Sequence, residues 1–150
     1  MELIELLSID IDVAPIVELG DSGTGIRRLI PFGGGTFTGR DGLRGTLAAG
    51  GVDWQFVRSD GTLEIDAHYV LETDGGALIE VRSTGIRVAA PDVIERITAG
   101  DQVDPSEYYF RTHIRLTSPD DSLRWMNDVI AVSAGERRRA SVRINVFELT

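Results

Sequence analysis

Apolar and polar side chains alternate with a period of two along most of this chain, the pattern of β-strands with one buried face. It is clearest over residues 62–73, where Leu63, Ile65, Ala67, Tyr69 and Leu71 share one face and Glu64, Asp66, His68 and Glu72 the other. Such a strand has one dry face and one that is wet or lines a polar cavity. Near the start, Leu3, Leu7, Ile9 and Ile11 alternate with Ser8, Asp10 and Asp12, and residues 78–88, 107–116, 129–134 and 140–149 read as further strands. Turn signals separate these runs: Gly33-Gly34-Gly35, Asp41-Gly42, Gly50-Gly51, Asp60-Gly61 and Asp74-Gly75-Gly76. Asp-Gly pairs suit the positive-φ positions of tight hairpins, so successive strands are predicted to be antiparallel neighbours.

Two short helices are predicted. Residues 91–99 open on Pro91, place Val93, Ile94 and Ile97 at helical spacing and stop at Gly100, while Ser118-Pro119-Asp120-Asp121 reads as a cap before 123–127. Many strands, glycine-rich turns and one or two short helices give a mainly β fold, an antiparallel β-barrel, lipocalin-like or a related closed barrel. At 150 residues it is read as a single domain over 1–150, a size that buries roughly two thirds of its unfolded surface without staples.

The residue inventory excludes several chemistries. With no cysteine there are no disulfides, thiolate nucleophiles or cysteine-bound metals, and with all 15 basic residues arginine there is no lysine for a Schiff base. A net charge of −9 repels a phosphate backbone, and the single basic run, Arg137-Arg138-Arg139, falls in a predicted turn, so no nucleic-acid partner is expected. No apolar run approaches the roughly 20 residues that cross a bilayer, and the start lacks a signal-peptide pattern, so no membrane partner and a cytoplasmic location are expected. Walker, dinucleotide and G-x-S-x-G motifs are absent, and with two histidines no metal-ligand spacing emerges; the expectation is no cofactor and no metal.

The candidate site residues follow from side-chain chemistry. Asp53-Trp54 opens a strand after Gly50-Gly51 and reads either as a turn aspartate with a core tryptophan or as a general base beside a stacking platform. His68 lies two residues from Asp66, about 7 Å away on the same face, and His113 shares a face with Tyr109, Arg111 and Arg115. Arg82 and Arg111 sit mid-strand; each either faces solvent or a structural carboxylate such as Glu80 or Asp66, or points into a lumen as an anchor for an anionic oxygen. Trp125 reads as a helix residue plugging a barrel end or as a wall of the site. The Gly33-Gly34-Gly35 run reads as a turn or bulge, since it lacks phosphate-loop spacing.

Three ordered stretches resemble a known family: Ile30-Pro31-Phe32-Gly33-Gly34-Gly35-Thr36-Phe37-Thr38-Gly39, Gly50-Gly51-Val52-Asp53-Trp54-Gln55 running on to Asp60-Gly61, and Asp104-Pro105-Ser106-Glu107-Tyr108-Tyr109-Phe110-Arg111-Thr112, followed by Trp125-Met126-Asn127. Their order is similar to that of domain of unknown function family 3237, small bacterial and fungal proteins. The resemblance spans nearly the whole chain and implies a compact antiparallel β-barrel. Its recurring positions fall on Asp53, Trp54, Tyr109, Arg111, Trp125 and Asn127; Glu80 stands where the family often has an aromatic residue.

The leading functional expectation is a cofactor-independent barrel enzyme, an isomerase, cyclase or lyase, that moves protons on a small aromatic or polyketide-like metabolite. Asp53 or His68 would be the base, Tyr109 an acid, and Arg82 and Arg111 the oxyanion stabilisers. Trp54, Tyr69, His113, Trp125 and Asn127 would contact the ligand. The alternative is a non-catalytic carrier or sensor of a small apolar ligand. A third reading, an assembly protein pairing wet strand faces across a homodimer, would leave no sizeable cavity.

Overall fold

The strongest alternation produces the longest uninterrupted ladders. In the computed structural model, which describes residues 1–150, β1 (Leu3–Val13), β2 (Val17–Asp21), β3 (Ile26–Gly39), β4 (Arg44–Leu47) and β5 (Val52–Val57) are followed by β6 (Leu63–Thr73), β7 (Leu78–Ala89), β8 (Tyr108–Thr117), β9 (Ile130–Arg137) and β10 (Ser141–Leu149). All pairings are antiparallel, and β1 closes the ring by pairing with both β10 and β3. The result is a closed eight-strand barrel with two extra strands. β4 and β5 lie end to end between β3 and β6, and β2 pairs only with the first part of β3.

The glycine run, read as a turn or bulge, lies inside β3 and forms a bulge rather than a chain reversal. The β1–β3 register shifts beside it, where Asp12 faces Gly34 and Val13 faces Phe32, so one extra residue bulges and bends the strand. Gly35 (φ +153°) faces Ile11, and a Cβ there would collide with the Asp10 carbonyl; the strands can approach only because glycine stands at this point.

The first predicted helix forms as α1 (Pro91–Thr98), with Pro91 at its start, Val93 buried and Gly100 at positive φ beyond its end. Arg96 ties it to the 3₁₀ turn Pro105–Glu107 through Glu107, with Nη2 donating to Oε1 at 2.8 Å. The second forms a 3₁₀ segment, Asp121–Asp128, capped by Asp120, whose carboxylate accepts from the Ser122 N–H. Leu123 and Met126 of that segment join the core with Leu6, Phe37, Leu71 and Ile79, filling one end of the barrel. The α1 end is filled incompletely, and there polar side chains face inward.

Candidate functional site

A cavity of about 170 Å³ occupies the α1 end. Its wall is mostly aliphatic and aromatic, with Ile11, Ile30, Ile65, Phe110 and Ile144 among its contributors, and Ile97 and Thr98 of α1 lie over it with Gly100 and Arg139. Against this wall stand Arg28 from β3, Asp53 and Gln55 from β5, Tyr69 from β6, Ser83 and Arg87 from β7, and Arg137 from β9. Each reaches the lumen by strand parity: Asp53 and Gln55 are two residues apart on one face, as are Leu63, Ile65, Ala67 and Tyr69.

Asp53 is buried and held at both oxygens. Gln55 Nε2 donates to Oδ2 at 2.7 Å, and the backbone N–H of Asp66 donates to Oδ1 at 3.1 Å. The β5–β6 ladder lapses between the Asp53–Ala67 and Phe56–Glu64 pairs, and the carboxylate takes the Asp66 N–H there. Burial pushes the Asp53 carboxyl above the usual carboxylate range, against the opposing pull of the Gln55 and Asp66 hydrogen bonds. Gln55 Oε1 in turn accepts from Arg28 Nε at 2.8 Å, so an arginine, an amide and a carboxyl form one chain along the wall.

Two other groups face the cavity without protein partners. The Tyr69 hydroxyl is buried with no hydrogen bond, its ring packed edge-on against Phe32 with centroids 5.5 Å apart. Burial, reinforced by the nearby Asp53 charge, raises its proton affinity and keeps it a neutral donor. Arg87 is 9% exposed; burial, with Arg28 and Arg137 adding repulsion, lowers its pKa to about 10. It therefore remains a cation at neutral pH. By contrast, the buried hydroxyls of Ser83, Thr112 and Ser133 satisfy one another across β7, β8 and β9, at 2.8 and 2.6 Å.

Of the candidate residues read from the sequence, Asp53 and Tyr69 line this cavity and the others lie outside it. Arg82 points outward from β7 and pairs with Asp66, Nε to Oδ1 at 3.1 Å; beside it His68 meets Glu80. Arg111, Tyr109 and His113 occupy the outer face of β8, where the Arg111 guanidinium lies 5.2 Å from the Tyr109 ring centre. Trp54 faces outward under Arg27, since neighbours in a strand project to opposite sides and Asp53 faces in. At the packed end, Trp125 is partly exposed beneath Arg40, and the barrel is filled there by Leu123 and Met126 rather than by the indole. Asn127 clasps Ser118, accepting its N–H at 2.7 Å and donating to its carbonyl at 3.1 Å.

The inward arginines Arg28, Arg87 and Arg137 were missed, although parity marks two of them. Arg87 shares its face with Ile79, Val81 and Ser83, and Arg137 its face with Ala131 and Ser133. The Arg137-Arg138-Arg139 run is split three ways: Arg137 enters the cavity, Arg138 pairs with Glu136 and Asp10, and Arg139 packs over Gly100. No group of three or more His, Asp or Glu side chains is placed to hold a metal ion, and no helix is long and apolar enough to cross a membrane.

The sequence model of the family described as protein of unknown function DUF3237 matches residues 1–149. The chain belongs to this family. A UPF0311 protein of Rhodopseudomonas palustris is 32% identical over 137 residues, 91% of this chain and 89% of that protein. Its crystal structure superposes with a TM-score of 0.95, covering 99% of this chain and 97% of the other. A β-barrel-like protein of Acinetobacter baumannii is 36% identical with a TM-score of 0.85 over 99% of this chain and 96% of its own. A chain described as an enzyme from Penicillium herquei, 20% identical, shares the barrel fold with a TM-score of 0.73 over 99% of this chain and 94% of that one.

Proposed function

We propose that this DUF3237 barrel binds a small organic molecule in the α1-end cavity and moves a proton on it without a cofactor, with Asp53 as the acid–base group. The observation that carries this reading is a carboxyl aimed into an apolar cavity and held above its ordinary pKa. A carboxyl with raised proton affinity is a stronger base than a solvated carboxylate and so is better suited to take and return a proton. The Tyr69 hydroxyl is a donor in want of an acceptor, suited to a carbonyl oxygen that gains charge as a neighbouring C–H proton leaves. Proton abstraction beside a carbonyl is common to isomerases, cyclases and lyases. The outer-face residues His68, Arg82, Tyr109, Arg111 and His113 take no part in this scheme.

A carrier that holds its ligand without turnover is the second reading, favoured by the engagement of both Asp53 oxygens with Gln55 and Asp66. Deuterium exchange separates the two. Small keto acids and ketones, among them 4-oxopentanoate and acetone, are incubated with protein in D2O and followed by NMR. The proton-transfer reading expects exchange beside the carbonyl above the buffer rate, falling roughly 100-fold or more in Asp53→Asn. Equal rates with wild type, Asp53→Asn and buffer contradict it and leave the carrier.

A further inference from the structure

Arg87 is charged and largely buried, makes no hydrogen bond or ion pair within the protein, and keeps its guanidinium nitrogens in some contact with solvent through the cavity. Its side chain lines the cavity from β7, opposite Leu63 of β6, and only longer-range charge interactions act on it within the protein. Of the other arginines lining the cavity, Arg28 donates to Gln55, Arg137 donates from Nη1 to the Ser141 carbonyl at 3.0 Å, and Arg139 is exposed at the rim over Gly100. Asp53 is the only carboxyl lining the same space, and its hydrogen bonds come from Gln55 and the Asp66 backbone. A guanidinium with five N–H groups and no acceptor is costly to bury, and a ligand anion is what removes that cost.

We propose that the cavity takes a small organic monocarboxylate carrying a second oxygen, keto or hydroxyl, with the carboxylate on Arg87 and the second oxygen accepting from the Tyr69 hydroxyl. The inference rests on reading this cavity as a small-molecule site and names the class of molecule it takes. The wall beside Arg87 is mostly aliphatic and aromatic, which suits an anionic group carried on a carbon skeleton rather than a wholly polar anion such as inorganic phosphate. The size agrees, since a cavity of about 150 Å³ holds a benzene ring and this one is about 170 Å³.

The β6 register orders the polar groups along the barrel. Arg87 lies opposite Leu63, Asp53 opposite Ala67, and Tyr69 one inward position farther on. A ligand held at both ends therefore presents its middle carbons to Asp53, where the proton to be moved would lie.

Isothermal titration calorimetry tests this with 4-hydroxybenzoate, 4-oxopentanoate, benzoate, the neutral 4-hydroxybenzamide and inorganic phosphate. At least one of the two oxygen-bearing carboxylates is expected to bind, with 4-hydroxybenzamide and phosphate at least tenfold weaker. Arg87→Gln should weaken the carboxylate roughly 10- to 150-fold, the loss of one charge-assisted bond. Its unliganded melting temperature should equal or exceed that of wild type, because an unpartnered buried charge is removed. Tyr69→Phe should weaken the oxygen-bearing carboxylate and leave benzoate unchanged.

Failure of both oxygen-bearing carboxylates to bind at millimolar concentration, equal affinity for acid and amide, or tighter binding of phosphate overturns the proposal. So does an Arg87→Gln variant that melts lower with unaltered affinity. Carboxylate binding without deuterium exchange leaves this inference standing and removes the proton-transfer reading; Asp53-dependent exchange of acetone with no carboxylate binding does the reverse.

Discussion

Gln55 fixes the orientation of Asp53: its amide nitrogen donates to the Asp53 carboxylate at 2.7 Å while its amide oxygen accepts from Arg28 at 2.8 Å, so the amide cannot turn over without losing both bonds. Gln55→Leu should therefore leave two polar groups unsatisfied at once. The expected cost is about 1–3 kcal/mol for the buried Asp53 oxygen, with less from the half-buried Arg28, read as a lower urea midpoint. An unchanged midpoint would show that Arg28 and Asp53 pair directly once the amide is gone.

The raised Asp53 pKa gives a pH dependence of defined sign. In the unfolded chain the carboxyl titrates near 3.9, whereas burial raises it in the folded protein. Below the unfolded value both states hold the proton and the contribution to stability is fully present; as pH rises through the folded value it is lost. Asp53→Asn carries no such titration. Relative to wild type, the variant should gain stability as pH is raised from acid toward neutral, measured as the difference in urea midpoints. A difference that stays constant with pH contradicts the assignment.

Gly35→Ala tests the close approach of β3 to β1. The φ of +153° strains any other residue, and the Asp10 carbonyl stands where the Cβ would go. Strain and steric overlap each cost about 1–3 kcal/mol, so thermal unfolding should shift down by several degrees or more.

The fold was legible where one strand face meets the core and the other meets water. Strands read at 62–73, 78–88 and 107–116 differ by one residue at most at either end from β6 (Leu63–Thr73), β7 (Leu78–Ala89) and β8 (Tyr108–Thr117). β3 was not legible, because its glycines serve close strand packing and a bulge, and the same residues elsewhere reverse a chain. In the site, side-chain chemistry drew attention to Arg82 and Arg111, but the alternation already placed them opposite Val81 and Phe110, on the face away from the core. Arg28 carried no such mark, since its neighbours Arg27, Leu29 and Ile30 do not alternate cleanly and its inward direction depends on the pairing of β3 with β5.

Substitution on the outer wall should leave the cavity untouched. Arg82→Gln removes a solvent-facing pair with Asp66, and such pairs contribute about 0–1 kcal/mol. Melting temperature should shift little, and affinity for any cavity ligand should be unaltered. Loss of binding in Arg82→Gln would move the site to the outer face of β6 and β7.

The placement of the site inside the barrel is tested most directly by filling it. Ala67 is buried on the cavity wall, opposite Asp53. Saturation-transfer NMR of a set of small organic acids and neutral analogues is compared between wild type and Ala67→Trp, with circular dichroism establishing that the variant keeps its β-fold. The expected result is that compounds binding wild type lose their signal in Ala67→Trp and keep it in Arg82→Gln. Compounds that still bind the folded Ala67→Trp protein with undiminished signal would contradict an interior site.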